Sequence, residues 1–200
     1  GLALKKLGAN VQLLGKVGND AFGGMIANIL QEHGTGGLVV DEGSATSYSV
    51  VLAVPGVDRI FLHDPGANNT FTNADIPEEA LEGAALFHIG YPPVMRKLYE
   101  NDGAELAVIL SRMKNRNIAT SMDMTNVDPN SEAGKLDWVT ILANVLPYTD
   151  FFVPSFEELC YMEVLRQEQL CCRPVQVPRR CCTNSQFLVI EIKNRGSRPD

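Results

Sequence analysis

Short apolar segments that alternate with amphipathic ones predict an α/β protein with a mostly parallel central sheet flanked by helices. Residues 84–90, 118–124 and 150–153 have the length and apolar character of buried strands. Residues 102–116 and 138–145, which lie between them, carry apolar side chains at helical spacing. Strand and helix in alternation favour parallel pairing. Ligands in such sheets bind at the carboxyl ends of the strands, which here are residues 90–91, 123–126 and 154–158.

The amino-terminal residues predict a helix, a strand and a second helix. Residues 2–7 have the pattern of an amphipathic helix that stops at Gly8, so the chain is expected to have lost its true start. Residues 11–14, V-Q-L-L, are expected to form a strand. Asp20 is placed to cap the helix that follows, from Ala21 to about His33, by accepting a hydrogen bond from its first turn.

A β-rich region is expected over residues 38–64. Residues 48–54 form one predicted strand, residues 55–58 a turn, and residues 59–63 the returning strand. The hairpin leads into a loop at residues 64–69. The whole of residues 1–162 is therefore predicted to be one α/β core that includes this hairpin, and residues 163–200 a divergent tail, in which 187–192 could form one more strand.

Composition narrows the classes of function. The chain has 200 residues, 45% of them hydrophobic, and a formal net charge of −7. No basic block is present, which argues against binding to nucleic acid, because phosphates are neutralised by clustered Lys and Arg. No apolar run approaches 18 residues and no signal peptide opens the chain, so a cytoplasmic protein without membrane contact is expected.

Four of the five cysteines form two adjacent pairs in the tail, Cys171–Cys172 and Cys181–Cys182. Zinc sites commonly use C-x-x-C, which lets both sulfurs face one metal, and adjacent cysteines tend to point apart. A metal site is therefore not expected there, and the role of these cysteines is left open.

Glycines and an aspartate at fixed spacing form the most informative motif. Gly8 is followed after nine residues by Gly18, which opens a G-x-D-x-x-G turn completed by Asp20 and Gly23. The dinucleotide fingerprint G-x-G-x-x-G is absent here. Three further segments follow in order: 58–68, with an Arg and a G-A-N turn; 119–126, with an Asp near the end of a strand; and 153–158, P-S-F-E-E after a valine.

Together these segments resemble the PfkB, or ribokinase-like, carbohydrate kinases over residues 1 to about 162. The sequences of residues 87–93 and 146–148 resemble those of a bacterial sugar-kinase branch of that family. Two positions depart from the family pattern. Thr125 takes the place of the asparagine in D-x-N, and Ser155 takes that of the asparagine in P-N-x-x-E.

The resemblance implies a ribokinase-like fold in which the hairpin is a lid, and an activity that transfers a phosphoryl group from ATP to a hydroxyl of a sugar or similar polyol. It implies sugar contacts at Ser49, His63, Asn68, Gly90 and Asp123. It implies that Ser155 and Glu158 bind the nucleotide, with Glu158 organising Mg²⁺ through water. Four of these residues also have an ordinary structural alternative: hairpin residues for Ser49 and His63, a strand-end cap for Asp123, and a first-turn helix acid for Glu158.

The family's G-A-G-D segment, whose aspartate is the catalytic base, does not occur in these residues, so no catalytic residue is assigned. We expect an incomplete chain with an altered tail. Two alternatives stay open: a non-catalytic module that binds a sugar or a subunit, and a nucleoside kinase of the same superfamily. The family often dimerises through its lid strands, so a homodimer is also expected.

Overall fold

The computed structural model describes residues 1–56, 60–160 and 162, and the backbone of residues 190–191. The chain forms two compact units, Gly1–Glu82 and Gly83–Asp200. The first unit contains helices α1 (Leu2–Lys6) and α2 (Ala21–Glu32) and strands β1 (Gly15–Gly18), β2 (Leu38–Asp41), β3 (Tyr48–Leu52) and β4 (Ile60–Asp64). The second contains α3 (Arg96–Asn115), α4 (Trp138–Val145), β5 (Leu86–Ile89), β6 (Ala119–Met122), β7 (Phe151–Phe152) and β8 (Ile190–Glu191).

Strand β1 lies four residues later than the sequence predicts. The V-Q-L-L segment, residues 11–14, is irregular, and the strand is G-K-V-G, paired in parallel with β2 from Gly15 opposite Leu38 to Gly18 opposite Asp41. The prediction was wrong because glycine is a poor strand former by propensity and was taken to mark a turn. In this strand the glycine allows close approach, since a Cβ atom on Gly18 would lie 2.3 Å from the Ser44 carbonyl oxygen.

The two predicted amino-terminal helices are confirmed. Helix α1 spans Leu2–Lys6, and Gly8 follows it at φ +90°. Helix α2 begins after Asp20, whose Oδ1 accepts a hydrogen bond from the Gly23 N–H at 2.8 Å. It ends at Glu32, just before the predicted limit.

Strands β3 and β4 form the predicted antiparallel hairpin, with Ser49 opposite His63 and Val50 opposite Leu62. All ten residues of the two strands are exposed. The predicted Arg59 of the returning strand lies outside the described residues, as do Val57 and Asp58. The hairpin is therefore a two-stranded sheet that is not covered within the described chain.

The second unit contains the predicted parallel sheet. Its strand order is β5-β6-β7-β8, with parallel pairing from β5 to β7 and antiparallel pairing of β8. Strand β8 confirms part of the strand expected at 187–192; the rest of that segment, and the tail as a whole, lie outside the described residues. Strand β5 is parallel but is not buried as predicted, since Leu86 is 54% exposed and only Ile89 is buried. Its position at the edge of the described sheet accounts for this exposure.

Helices α3 and α4 supply the core of the second unit. They bury a continuous apolar layer made of Leu106, Ile109, Leu110, Met113, Trp138, Ile141 and Val145. Full burial of each such side chain contributes about 1.5–3 kcal/mol. Helix α3 is interrupted at Glu100–Gly103, where three successive residues have positive φ. In the described residues no helix is long and apolar enough to cross a membrane.

Candidate functional site

Thr46 is the centre of a hydrogen-bonded cluster at the base of the hairpin. Its side chain is 2% exposed, and its hydroxyl oxygen accepts the Gly18 N–H at 2.9 Å. The same hydroxyl donates to Asp20 Oδ1 at 2.7 Å, while the Thr46 N–H donates to Asp20 Oδ2 at 2.7 Å. One carboxylate therefore holds both the start of α2 and the residue that precedes β3 by two positions.

The glycines of the sequence motif surround this cluster. A Cβ atom on Gly18 would lie 2.7 Å from the Thr46 nitrogen, and one on Gly23 would lie 2.2 Å from the Gly18 carbonyl oxygen and 3.0 Å from the Thr46 hydroxyl. Side chains of any size would separate these segments. The hydrogen bonds from Thr46 and Gly23 lower the pKa of the Asp20 carboxyl, those from the Thr46 backbone having the largest effect.

Residues 45–47 also hold the end of the returning strand. The Ala67 N–H donates to the Ala45 carbonyl at 2.8 Å, and the Ser47 hydroxyl donates to the Asp64 carbonyl at 3.0 Å. Gly66 lies between these bonds at φ +46°, and a Cβ atom there would be 2.3 Å from the Ala45 oxygen. We call residues 45–47 together with 64–67 the hairpin root.

A partly buried ion pair holds the segment that follows the hairpin root against β1. Lys16 Nζ lies 3.1 Å from Asp75 Oδ1 and 3.2 Å from Oδ2, and it donates to the Thr70 carbonyl at 3.0 Å. The two charged side chains are only 13% and 11% exposed. Asp75 also accepts from the Thr72 N–H at 2.7 Å, which completes a capping box.

Asp41, at the end of β2, is joined to the same segment. The Thr70 hydroxyl donates to Asp41 Oδ2 at 2.5 Å, and the Gly43 N–H donates to Oδ1 at 2.9 Å. These two hydrogen bonds, that of Thr70 first, lower the pKa of the Asp41 carboxyl. The sequence had not singled out Thr46, Lys16, Asp41 or Asp75, since short polar residues in loops and single charges in strands carry no distinctive pattern.

Three predicted sugar contacts lie in the first unit. Ser49 and His63 face each other across the hairpin, with Ser49 Oγ 2.8 Å from His63 Nδ1. Both are exposed and therefore accessible to a ligand. Asn68 is half-buried in the 3-10 turn Gly66–Thr70, directly after the hairpin root.

The other two predicted sugar contacts lie at neighbouring strand ends in the second unit. The Asp123 N–H donates to the Ile89 carbonyl at 3.0 Å, and the Tyr91 N–H donates to the Asp123 carbonyl at 3.2 Å, so Gly90 lies beside Asp123. A Cβ atom on Gly90 would meet only His88 Nε2, at 3.8 Å, which leaves space beside this backbone. Asp123 Oδ1 accepts from the Met124 N–H at 2.8 Å.

Ser155 and Glu158 form a reciprocal capping box after β7. The Ser155 N–H donates to Glu158 Oε2 at 2.7 Å, and the Glu158 N–H donates to Ser155 Oγ at 3.2 Å. Glu158 thus has a structural task as a capping residue. Its second oxygen, Oε1, makes no hydrogen bond with the described residues, so the carboxylate can still orient a hydrated Mg²⁺ through one oxygen. Among the described residues no three His, Cys, Asp or Glu side chains are grouped as direct metal ligands.

The fold and these motifs agree with known proteins. The model of the pfkB family carbohydrate kinases matches residues 2–170. The chain belongs to this family. Fructokinase-1 of Oryza sativa subsp. japonica is 36% identical over 93 residues, which are 44% of this chain and 29% of that protein. Fructokinase-1 of Zea mays is 34% identical over 93 residues, with the same coverage.

Solved structures confirm the ribokinase-like fold. The fructokinase from Xylella fastidiosa has a TM-score of 0.64 at 22% identity, covering 82% of this chain and 52% of that one. The same enzyme with bound ATP gives a TM-score of 0.64 at 23% identity, with coverage of 83% and 51%. A putative ribokinase II from E. coli gives 0.63 at 22% identity, with coverage of 84% and 56%. The chain thus spans less than a third of the plant relatives and about half of these structures.

Proposed function

We propose that the protein to which this chain belongs is an ATP-dependent carbohydrate kinase, which transfers the γ-phosphoryl group to a hydroxyl of a sugar. The observation that carries the proposal is the family match over residues 2–170. A solved relative of the same fold binds ATP, which supports ATP as the donor. Fructose is the first acceptor to test, since the plant and bacterial relatives named above are fructokinases. Use of ATP also supports the predicted cytoplasmic location.

The structure supports separate tasks for the predicted residues. In the first unit, Ser49 and His63 present a hydroxyl and an imidazole on the exposed face of the hairpin, and we assign them and Asn68 to sugar hydroxyls. In the second unit, Asp123 offers a carboxylate at a strand end, next to the space beside Gly90. Hydrogen bonds to several hydroxyls orient a sugar, and a closed hairpin excludes water that would otherwise hydrolyse ATP.

Glu158 and Ser155 are assigned to the nucleotide and Mg²⁺. Glu158 contributes a carboxylate oxygen that can hold a water of hydrated Mg²⁺, and the bound ion would neutralise charge on the phosphates. Ser155 keeps the oxygen of the family's asparagine but lacks its amide donor. Its hydroxyl accepts the Glu158 N–H and keeps its own hydrogen to donate to a phosphate oxygen, while the Ser155 backbone N–H donates to Glu158 Oε2 and orients that carboxylate.

The capping box allows a sharp test of Glu158. Glutamine can replace glutamate in a capping box, so Glu158→Gln should leave the helix start intact while it removes the charge. In a preparation of the protein that includes the rest of the kinase, we expect activity to fall tenfold or more, with a higher Mg²⁺ requirement. The matched variant Ser155→Ala removes the hydroxyl acceptor and keeps the charge. If the activity of Glu158→Gln depends on Mg²⁺ concentration as that of the parent protein does, Glu158 acts only as a capping residue.

The isolated 200-residue chain offers a second test. We expect no sugar-dependent ATP turnover, because these residues contain no G-A-G-D base. Acceptor choice should be measured with the protein that includes the rest of the kinase, using fructose, ribose and adenosine. Preference for adenosine would indicate that the protein is a nucleoside kinase and not a carbohydrate kinase. Binding of a sugar without turnover by that longer protein would favour the non-catalytic module.

We also propose that two copies pair through their hairpins. The apolar residues Val50, Val51, Leu52, Ile60 and Leu62 are 44–57% exposed, and a two-stranded sheet with both faces uncovered is a surface that a second copy can bury. Leu62→Glu should shift the sedimentation coefficient to that of a monomer. Met25→Glu, on an equally exposed position of α2, should not. A monomeric parent protein at micromolar concentration would overturn this proposal.

A further inference from the structure

We propose that Asp20 is a positioning residue for the hairpin: its carboxylate, through Thr46, anchors the hairpin root to the junction of β1 and α2. The consequence for sugar binding rests on the proposed function, but the anchoring itself does not. The motif that identified the family thus has a local physical role in this chain. Four observations support the inference.

First, the carboxylate does more than cap a helix. Capping α2 requires one oxygen, and Oδ1 accepts the Gly23 N–H. The second oxygen, Oδ2, is used by the Thr46 N–H at 2.7 Å, and the Thr46 hydroxyl adds a further bond to Oδ1. A cap alone does not explain two bonds to a residue 26 positions away.

Second, Thr46 lies between two residues that hold the end of β4 to the start of β3. It lies between Ala45, whose carbonyl accepts from Ala67, and Ser47, whose hydroxyl donates to Asp64. Residues 64–67 end β4 and follow it. A displacement of Thr46 therefore moves the base of both strands together.

Third, the strands of the hairpin are poorly buried in the part of the first unit that the structure describes. All ten strand residues are exposed, so burial of apolar side chains contributes little. An isolated two-stranded hairpin is marginally stable in water. One contact outside the root is the ring of Phe22, whose centroid lies 6.1 Å from that of Tyr48. Phe22 is on α2, so this contact too depends on where that helix begins.

Fourth, the backbone segments are in close contact. Cβ atoms on Gly18, Gly23 or Gly66 would each lie 2.2–2.3 Å from a backbone oxygen of a neighbouring segment. No side chain fits at these three points without a shift of the backbone. The segments around Thr46 are therefore in direct backbone contact at these three glycines.

The test uses variants that separate capping from anchoring. Asp20→Asn keeps a good N-cap residue, but it places an NH₂ group where Oδ2 now accepts, opposite the Thr46 N–H. Thr46→Val removes the hydroxyl, and Thr46→Ser restores it. The measurement is amide hydrogen exchange by mass spectrometry on the 200-residue chain, comparing peptides from β3 and β4 with peptides from α2.

We expect Asp20→Asn and Thr46→Val to speed exchange in the hairpin by tenfold or more, Thr46→Ser by less than twofold, and α2 to change little in Asp20→Asn. Equal acceleration of α2 and the hairpin in Asp20→Asn, or an unchanged hairpin, would overturn the anchor. In the protein that includes the rest of the kinase, Asp20→Asn should raise KM for the sugar by more than it lowers kcat. A looser hairpin with unchanged sugar KM would support the anchor and refute the lid role in the proposed function.

Discussion

The Lys16–Asp75 pair should show strong coupling in a double-mutant cycle, because both charges are largely removed from water. At 3.1 Å and an effective dielectric constant near 20, two unit charges attract by roughly 5 kcal/mol before the cost of desolvation is subtracted. Removing one partner of a buried pair costs about 3–5 kcal/mol, since the other charge stays behind. With exposures of 13% and 11%, we expect about 3 kcal/mol for each single change.

The variants are Lys16→Met, Asp75→Asn and the double change. Asparagine still accepts the Thr72 N–H, so the capping box survives. The double variant leaves no charge unpaired and should cost no more than either single variant, which gives a coupling energy of about 3 kcal/mol or more. Stability is measured from urea midpoints by hydrogen exchange of peptides from β1 and β2, because the one tryptophan, Trp138, lies in the other unit.

A matched exposed pair serves as the control. Lys97 and Glu100, whose side chains are 45% and 29% exposed, should couple by about 0.2–0.5 kcal/mol in a cycle of the same design, read from Trp138 fluorescence because this pair lies in the second unit. The reasoning fails if the Lys16 and Asp75 changes are additive within about 0.5 kcal/mol. It also fails if both pairs couple equally, because burial would then not decide the strength of the interaction.

Two further predictions concern the second unit, with stability read from the fluorescence of the single tryptophan. Gly103→Ala should cost roughly 2–5 kcal/mol, because φ is +75° and the new Cβ would lie 2.9 Å from Ile141 Cγ2; Gly83→Ala, at φ +70° with open space, should cost about 1 kcal/mol. Burial is the largest single influence on the pKa of the Asp150 carboxyl and raises it, but the hydrogen bonds from Lys114 and Thr120 and the charge of Lys114 together outweigh burial, so the pKa is lowered. Asp150→Asn should therefore destabilise at pH 7, and the difference should vanish as the pH falls through the lowered pKa.

The periodic spacing of apolar residues predicted the helices and strands of the second unit well. Helix α4 has the predicted bounds, and β6 and β7 lie within the predicted strands, because apolar spacing reports directly on burial. The interruption of α3 at Glu100–Gly103 was not predicted. Asn101 and Asp102 tolerate positive φ but also occur inside helices, so their identity alone does not show that the helix breaks there.

The sequence predicted the positions of single candidate residues in the fold, but not the hydrogen bonds that join them to distant segments. The pairing of Ser49 with His63 and the adjacency of Gly90 and Asp123 follow from strand register, which short sequence patterns constrain. The bonds from Asp20 to Thr46 join residues 26 positions apart, and nothing local in S-A-T-S marks the one hydroxyl that is buried. Long-range polar contacts of this kind depend on the folded backbone.

The spacing of Gly18, Asp20 and Gly23 in this chain follows from the hydrogen bonds between Asp20 and Thr46. Gly18 is the last residue of β1, Asp20 is the N-cap of α2, and Gly23 supplies the N–H that the cap satisfies. Because Gly23 lies five positions after Gly18, the first turn of α2 folds back until Gly23 touches the Gly18 carbonyl. That closure points the Asp20 carboxylate at Thr46, and any side chain at either glycine would move the helix start away and break the bonds to the hairpin root. The motif is therefore a joint between strand, helix and hairpin, which explains why it needs glycine on both sides of one acid.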